Sequence, residues 1–178
     1  MPNLWKELPA GTNVPDIVNV VVEIPKGSRN KYEYDKETGA IVLDRVLYSS
    51  IHYPGDYGFI PQTTYDDGDP LDILVMVTEP TFSGCVIQAR PIGLFRMKDR
   101  GEPDDKILAV PASDPLFGDY HDIGDIPQHF LQEVAHFFAV YKDLEGAHVK
   151  TIGWERADRA KERILYSADM FRGQKVNK

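Results

Sequence analysis

"DDGDPLDILVMV", residues 66–77, puts four aspartates directly in front of the chain's clearest strand. From Ile73 to Val77 the aliphatic residues follow one another without a break, the pattern of a strand covered on both faces. Side chains alternate along a strand, so Asp72 shares a face with Leu74 and Met76. Gly68 allows a tight bend between Asp67 and Asp69, and Pro70 is tolerated at a strand's first residue. "DDGD" alone reads as a solvated turn, which suits Asp66. Asp72 does not fit that reading, because a carboxylate on an internal strand has to be paired or bound to a cation. Two carboxylates about 6 Å apart at an effective dielectric of about 20 repel by roughly 3 kcal/mol, and cations or protons must offset that.

Strand signals continue on both sides. Upstream, residues 19–47 hold two or three β-rich runs, cut by Pro25-Lys26-Gly27 and by a hairpin-like turn at "DKETGA", residues 35–40. Residues 53–70, with three prolines and three glycines, read as loop. Downstream, "GCVIQARPIGLFRM" (84–97) and "KILAVP" (106–111) are further strands. Five or more short strands with brief connections predict an antiparallel barrel or closed sheet rather than alternating βαβ units.

The last third changes period. In residues 127–146, Phe130, Val134, Phe137, Tyr141 and Leu144 recur at helical spacing, with Asp125 read as the cap and Gly146 as the stop. A second helix is read over 154–173, its stripe made by Ala157, Ala160, Ile164, Ala168 and Phe171. With no repeat and no linker, the expectation is a single α+β, mainly β domain over residues 1–178.

Composition narrows the function. A net charge of −8 speaks against nucleic acid, whose phosphates need clustered Lys and Arg. No segment approaches the ~18 apolar residues of a membrane helix, and "MPNLWKELPAGTNVPD" is not built like a signal peptide. One cysteine, Cys85, fits a reducing cytosol and reads as a buried small hydrophobe. Phosphate-loop, dinucleotide-fold, zinc-protease and serine-hydrolase motifs are missing. The spacing after Asp67 is wrong for a calcium-binding EF-hand loop.

A second acidic run, with Asp99, Asp104 and Asp105, again lies between two strands. Two acidic loops at strand ends can face one cavity, and carboxylates in that number suit Mg²⁺, Mn²⁺ or Ca²⁺. Bound cations would let an acidic pocket accept an anion, with the basic run near Lys31 and Arg45 opposite. That is the layout of metal-assisted phosphoryl transfer to water.

"DGDPLD" (67–72) resembles the D-x-D-P-x-D signature of soluble family I inorganic pyrophosphatases of the prokaryotic type. The likeness extends through residues 22–39, 43–50 ("LDRVLYSS"), 53–61 ("YPGDYGFIP"), 89–111, 136–146 ("HFFAVYKDLEG") and 153–161 ("GWERADRAK"). It implies a closed five-stranded OB-like barrel with flanking strands and two C-terminal helices. It further implies a cytoplasmic, homohexameric enzyme that hydrolyses pyrophosphate by direct attack of a metal-bridging hydroxide, with several Mg²⁺ ions per site, Mn²⁺ or another divalent ion being an alternative. Residue by residue, the resemblance makes Asp69 the general base. It makes Asp67, Asp72, Asp104, Asp99 and Glu33 metal ligands. Lys31, Arg45, Tyr57, Lys106, Tyr141 and Lys142 become phosphate-binding residues, and Glu23 and Tyr53 further pocket residues. Two rivals are a nucleic-acid-binding barrel and a metal-dependent phosphatase or nuclease acting on organic phosphate esters.

Overall fold

The computed structural model describes residues 3–176; Met1, Pro2, Asn177 and Lys178, the ends of the expected domain, lie outside the described residues. The strands are β1 (Val18–Ile24), β2 (Asn30–Tyr34), β3 (Ile41–Val46), β4 (Asp56–Phe59), β5 (Asp72–Val75), β6 (Val86–Asp99), β7 (Glu102–Pro103), β8 (Lys106–Pro111) and β9 (Val149–Arg156). The helices are α1 (Gln128–Val140) and α2 (Ala157–Val176).

Five strands close into a ring in the order β1-β4-β5-β8-β6, with β6 returning to β1. Every pairing in it is antiparallel except β5 with β8, which run parallel with Ile73 opposite Ile107. The long β6 reaches both sides: its first residues pair with β1, its middle with β8, and its end with β9 and β7. Strands β2 and β3 form a separate hairpin, whose turn is held by the Asp35 carboxylate accepting from the backbone of Glu37 and Thr38.

Alternation sorts the strands' side chains into two packed layers. Ile73, Val75, Ile107 and Ala109 pack with Val18, Val20 and, from α2, Ala160 and Ile164. Leu74, Met76, Leu108 and Val110 pack under α1 with Phe137, Phe138 and Tyr141. Asp72 therefore belongs to the α1 side, as its spacing from Leu74 and Met76 requires.

Several local readings are corrected. The stretch read as loop contains β4, a buried strand whose Gly58 is demanded by its neighbour: a Cβ there would lie 1.9 Å from the Val21 carbonyl oxygen. Residues 149–156, not read as a strand, form β9, with Trp154 opposite Phe95, so α2 begins at Ala157 rather than Trp154. Asp125 does not cap α1. Its carboxylate accepts from the amides of His121 and Asp122 and closes a 3₁₀ turn at 123–125, while α1 starts after Pro127 without a side-chain cap. Leu144 lies beyond α1 in a short turn and is exposed, although Gly146 does end that turn in the left-handed region. Cys85 is half-buried rather than buried.

Candidate active site

Because β5 and β8 are parallel and in register, their first residues, Asp72 and Lys106, lie side by side. The acidic run before each strand therefore opens at the same end of the ring. Gly68, at φ 84°, turns the first loop, and the Asp67 carboxylate accepts from the Asp69 amide at 2.9 Å. The second loop is the turn from the end of β6 through β7, with Asp99 paired to Glu102. Strand β2 and the end of α1 supply the facing walls.

The cavity between them measures about 380 Å³. Twelve of the fourteen residues singled out from the sequence line it: Glu23, Lys31, Glu33 and Tyr57, then Asp67, Asp69, Asp72 and Asp99, then Asp104, Lys106, Tyr141 and Lys142. The other two stand behind it. Tyr53 is 2% exposed and packs its ring on Tyr57 and Phe137. Arg45 sits opposite Lys31 across the β2–β3 hairpin, paired with Asp44 and, at 2.5 Å, with Glu145. Asp105, counted with the second acidic run, turns away from the cavity, as its place between Asp104 and Lys106 on an extended backbone requires. Lys36 and Glu102 line the cavity but were not singled out. The hairpin turn swings Lys36 over the aspartate loop, and nothing in the turn's own sequence signals it.

The electrostatics are those of interleaved charges. Lys106 is almost fully buried and bridges Asp72 and Asp104 at 2.6 Å each. Burial works to lower its pKa, but Asp72, Tyr57 and Asp104 together raise it well above the usual lysine value. Lys36 pairs with Asp69, Lys142 with Asp99 and Lys31 with Glu33. Burial raises the carboxyls of Asp67 and Asp104, and it pushes Glu23 up to about 8 although the Tyr34 amide opposes the shift. Burial likewise raises the hydroxyls of Tyr57 and Tyr141, which stay protonated as donors.

Eight acidic side chains line this cavity against four lysines, and even with Glu23 protonated the excess asks for cations. Among the described residues no three of them converge closely enough to enclose an ion as they stand. Lys106, which stands between Asp72 and Asp104, shows how such a gap is filled. The donor set nevertheless fits a hard divalent cation: it is all oxygen, and the buried Asp99 Oδ1 has no hydrogen-bond partner. Hard-cation donors facing ammonium groups across one cavity place the protein among the phosphoryl-transfer enzymes.

Comparison with known proteins narrows the class. A family model described as inorganic pyrophosphatase matches residues 20–172. The inorganic pyrophosphatase of Haloferax volcanii is 55% identical over 172 residues, covering 96% of this chain and 97% of that one. That of Halobacterium salinarum is 51% identical with the same coverage. The crystal structure of inorganic pyrophosphatase from Thermus thermophilus superposes with a TM-score of 0.93 at 45% identity, covering 96% of this chain and 99% of the other. The chain belongs to the inorganic pyrophosphatase family. Among the described residues no helix is long and apolar enough to cross a membrane.

Proposed function

We propose that this chain, acting as one domain over residues 1–178, hydrolyses inorganic pyrophosphate to two phosphates with Mg²⁺ as its metal. The observation that carries the reading is the acid-rich cavity in which every lysine is already paired with a carboxylate. Such a cavity repels pyrophosphate until cations neutralise the acids and release the lysines.

The family is metal-dependent. Asp67, Asp72, Asp104, Asp99 and Glu33 would hold the divalent ions, which when bound neutralise charge and acidify water. The remaining work falls to the protein. Asp69, on the rim of the aspartate loop with its side chain more than half exposed, takes the proton from the attacking water. Lys31, Lys106, Lys142 and the protonated hydroxyls of Tyr57 and Tyr141 donate to phosphate oxygens and stabilise the charge that develops on the leaving phosphate. Arg45 joins them from the hairpin by exchanging its pairing with Glu145. Glu23, with its raised pKa, stays protonated at neutral pH when no cation is near, and Tyr53 holds Tyr57 in place by ring packing.

The test is phosphate release from pyrophosphate, a nucleotide and a phosphate ester, each with and without Mg²⁺. Hydrolysis of pyrophosphate first, and only with the metal, supports the reading; preference for the ester refutes it. Asp69→Asn should lower kcat by at least about 10²-fold, while its exposed ion pair leaves stability nearly unchanged; normal turnover would remove the base assignment. We also propose a cytoplasmic homohexamer; the large apolar side chains Leu43 and Tyr48, left exposed on and beside β3, support the assembly. Light scattering checks it.

A further inference from the structure

The two acidic loops meet on the cavity side, and α2 touches both of them from the other side. Tyr166 donates its hydroxyl to Asp66 at 2.9 Å, one residue before Asp67. The Arg163 guanidinium lies 3.3 Å from the buried Asp105, one residue after Asp104. Asp105 also accepts from the Tyr65 hydroxyl at 3.0 Å and from the Met97 amide at 3.2 Å. The guanidinium sits against the rings of Tyr65 and Tyr166, at 5.4 and 5.9 Å. One turn further, the Ser167 carbonyl accepts from the Thr64 amide at 2.9 Å.

Residues 163 and 166 are neighbours on one helix face, so a single turn of α2 holds loop 66–72 with one side chain and loop 99–105 with the other. The helix itself is rooted in the core that fixes the strands: Ala160 and Ile164 are fully buried against the layer containing Ile73 and Ile107, the residues next to Asp72 and Lys106.

We propose that Arg163 and Tyr166 are positioning residues, which set the separation of the two ligand-bearing loops and so tune the affinity for divalent cations. The proposal rests on the metal-dependent reading of the cavity. On the cavity side the loops are joined by Lys106, whose ammonium competes with an incoming cation for Asp72 and Asp104. That tie is exchanged when the cation binds. The ties on the α2 side involve no cavity group and persist, so they hold the mutually repelling loops at a fixed distance in either state.

The test is calorimetric titration of Mg²⁺ alone into wild type, Tyr166→Phe and Arg163→Met, with melting temperatures measured in EDTA. Tyr166→Phe removes one hydroxyl, so its melting temperature should move by less than about 3 °C. Its Mg²⁺ affinity should fall about tenfold, the low end of what outer-shell partners contribute. Arg163→Met should weaken Mg²⁺ similarly or more, and Arg163→Lys should recover part of the loss. Weaker Mg²⁺ binding in either folded variant supports the proposal. Unchanged affinity in both overturns it, whatever the melting temperatures, because a role in stability alone leaves metal binding untouched. If Arg163→Met does not fold, Tyr166→Phe and Arg163→Lys decide by the same criterion. A wild type that neither binds Mg²⁺ nor hydrolyses pyrophosphate would instead refute the functional reading.

Discussion

Lys106→Met removes the cation at the centre of the cavity and keeps most of the length of the side chain. Asp72 Oδ2 and Asp104 Oδ1 each lie 2.6 Å from Lys106 Nζ, so they are no more than about 5 Å apart. At an effective dielectric of about 20, two charges at about that distance repel by about 3 kcal/mol. Breaking a buried ion pair by deleting one partner costs about 3–5 kcal/mol. Asp72 and Asp104 keep 28% and 17% of their side-chain surface exposed, which favours the lower figure. In EDTA the variant should therefore lose about 3 kcal/mol, or about 6–12 °C in melting temperature for a chain of this size.

Divalent ions reverse the comparison. With the competing ammonium gone, Mg²⁺ affinity should rise, by up to about a hundredfold if the full 3 kcal/mol is recovered. At about 100 Kd a ligand adds about 2.7 kcal/mol to stability, so the variant should gain more than wild type and close the gap while its turnover falls. Scanning calorimetry of both proteins in EDTA and across a Mg²⁺ series reads all of this. An equal deficit in EDTA and in Mg²⁺, or Mg²⁺ affinity no higher than wild type, would show that Lys106 is not a counterion competing with the metal.

Lys36→Ala should shift stability by less than about 1 kcal/mol, because its pair with Asp69 is solvent-exposed. It should raise KM for pyrophosphate several-fold with a smaller change in kcat; steady-state kinetics showing an unchanged KM would exclude Lys36 from substrate binding. Asp122→Ala should lower stability by about 1–2 kcal/mol at neutral pH, since Asp122 caps α2 through the Ala157 amide at 3.0 Å. Slight burial works to raise the Asp122 pKa, but the amides of Ala157 and Ile123 and the Arg156 guanidinium hold it below the usual value. With the folded pKa below the unfolded value of about 3.9, this contribution is complete above about pH 4 and is lost as pH falls through the folded pKa. Melting curves of wild type and variant should therefore converge in strong acid.

What the residues disclosed beforehand was the periodic part of the fold. The alternation around Asp72 placed it on the layer with Leu74 and Met76, and the stripe through Val134, Phe137 and Tyr141 placed Tyr141 inward; both hold in the structure. The errors came where a residue answers to a distant partner. Gly58 looked like loop because its lack of a side chain serves the Val21 carbonyl, not its own segment. The start of α2 was misplaced because its cap is Asp122, remote in sequence. Asp105 looked like a cavity acid beside Asp104, and only strand alternation turns it to the Arg163 side. The aspartates of the cavity were legible because they cluster in two short runs, whereas Glu23 and Glu33 came only from the family resemblance and Glu102, inside the second run, was passed over. Lys36 was not legible, because nothing local to the hairpin turn shows that it folds over Asp69.

The parallel pairing of β5 with β8 also orders events during synthesis. Asp72 and Lys106 are 34 residues apart, which at roughly 10 residues per second is a gap of about 3 s. For that interval the first acidic run has no lysine from β8, and the ring, although β6 is complete at residue 99, has no β8 to close it. A nascent chain ending before β8 therefore carries all eight of the cavity's acids but neither Lys106 nor the strand that brings the two acidic runs together. Cation binding and ring closure should emerge from the ribosome together, after residue 111, as one step of maturation.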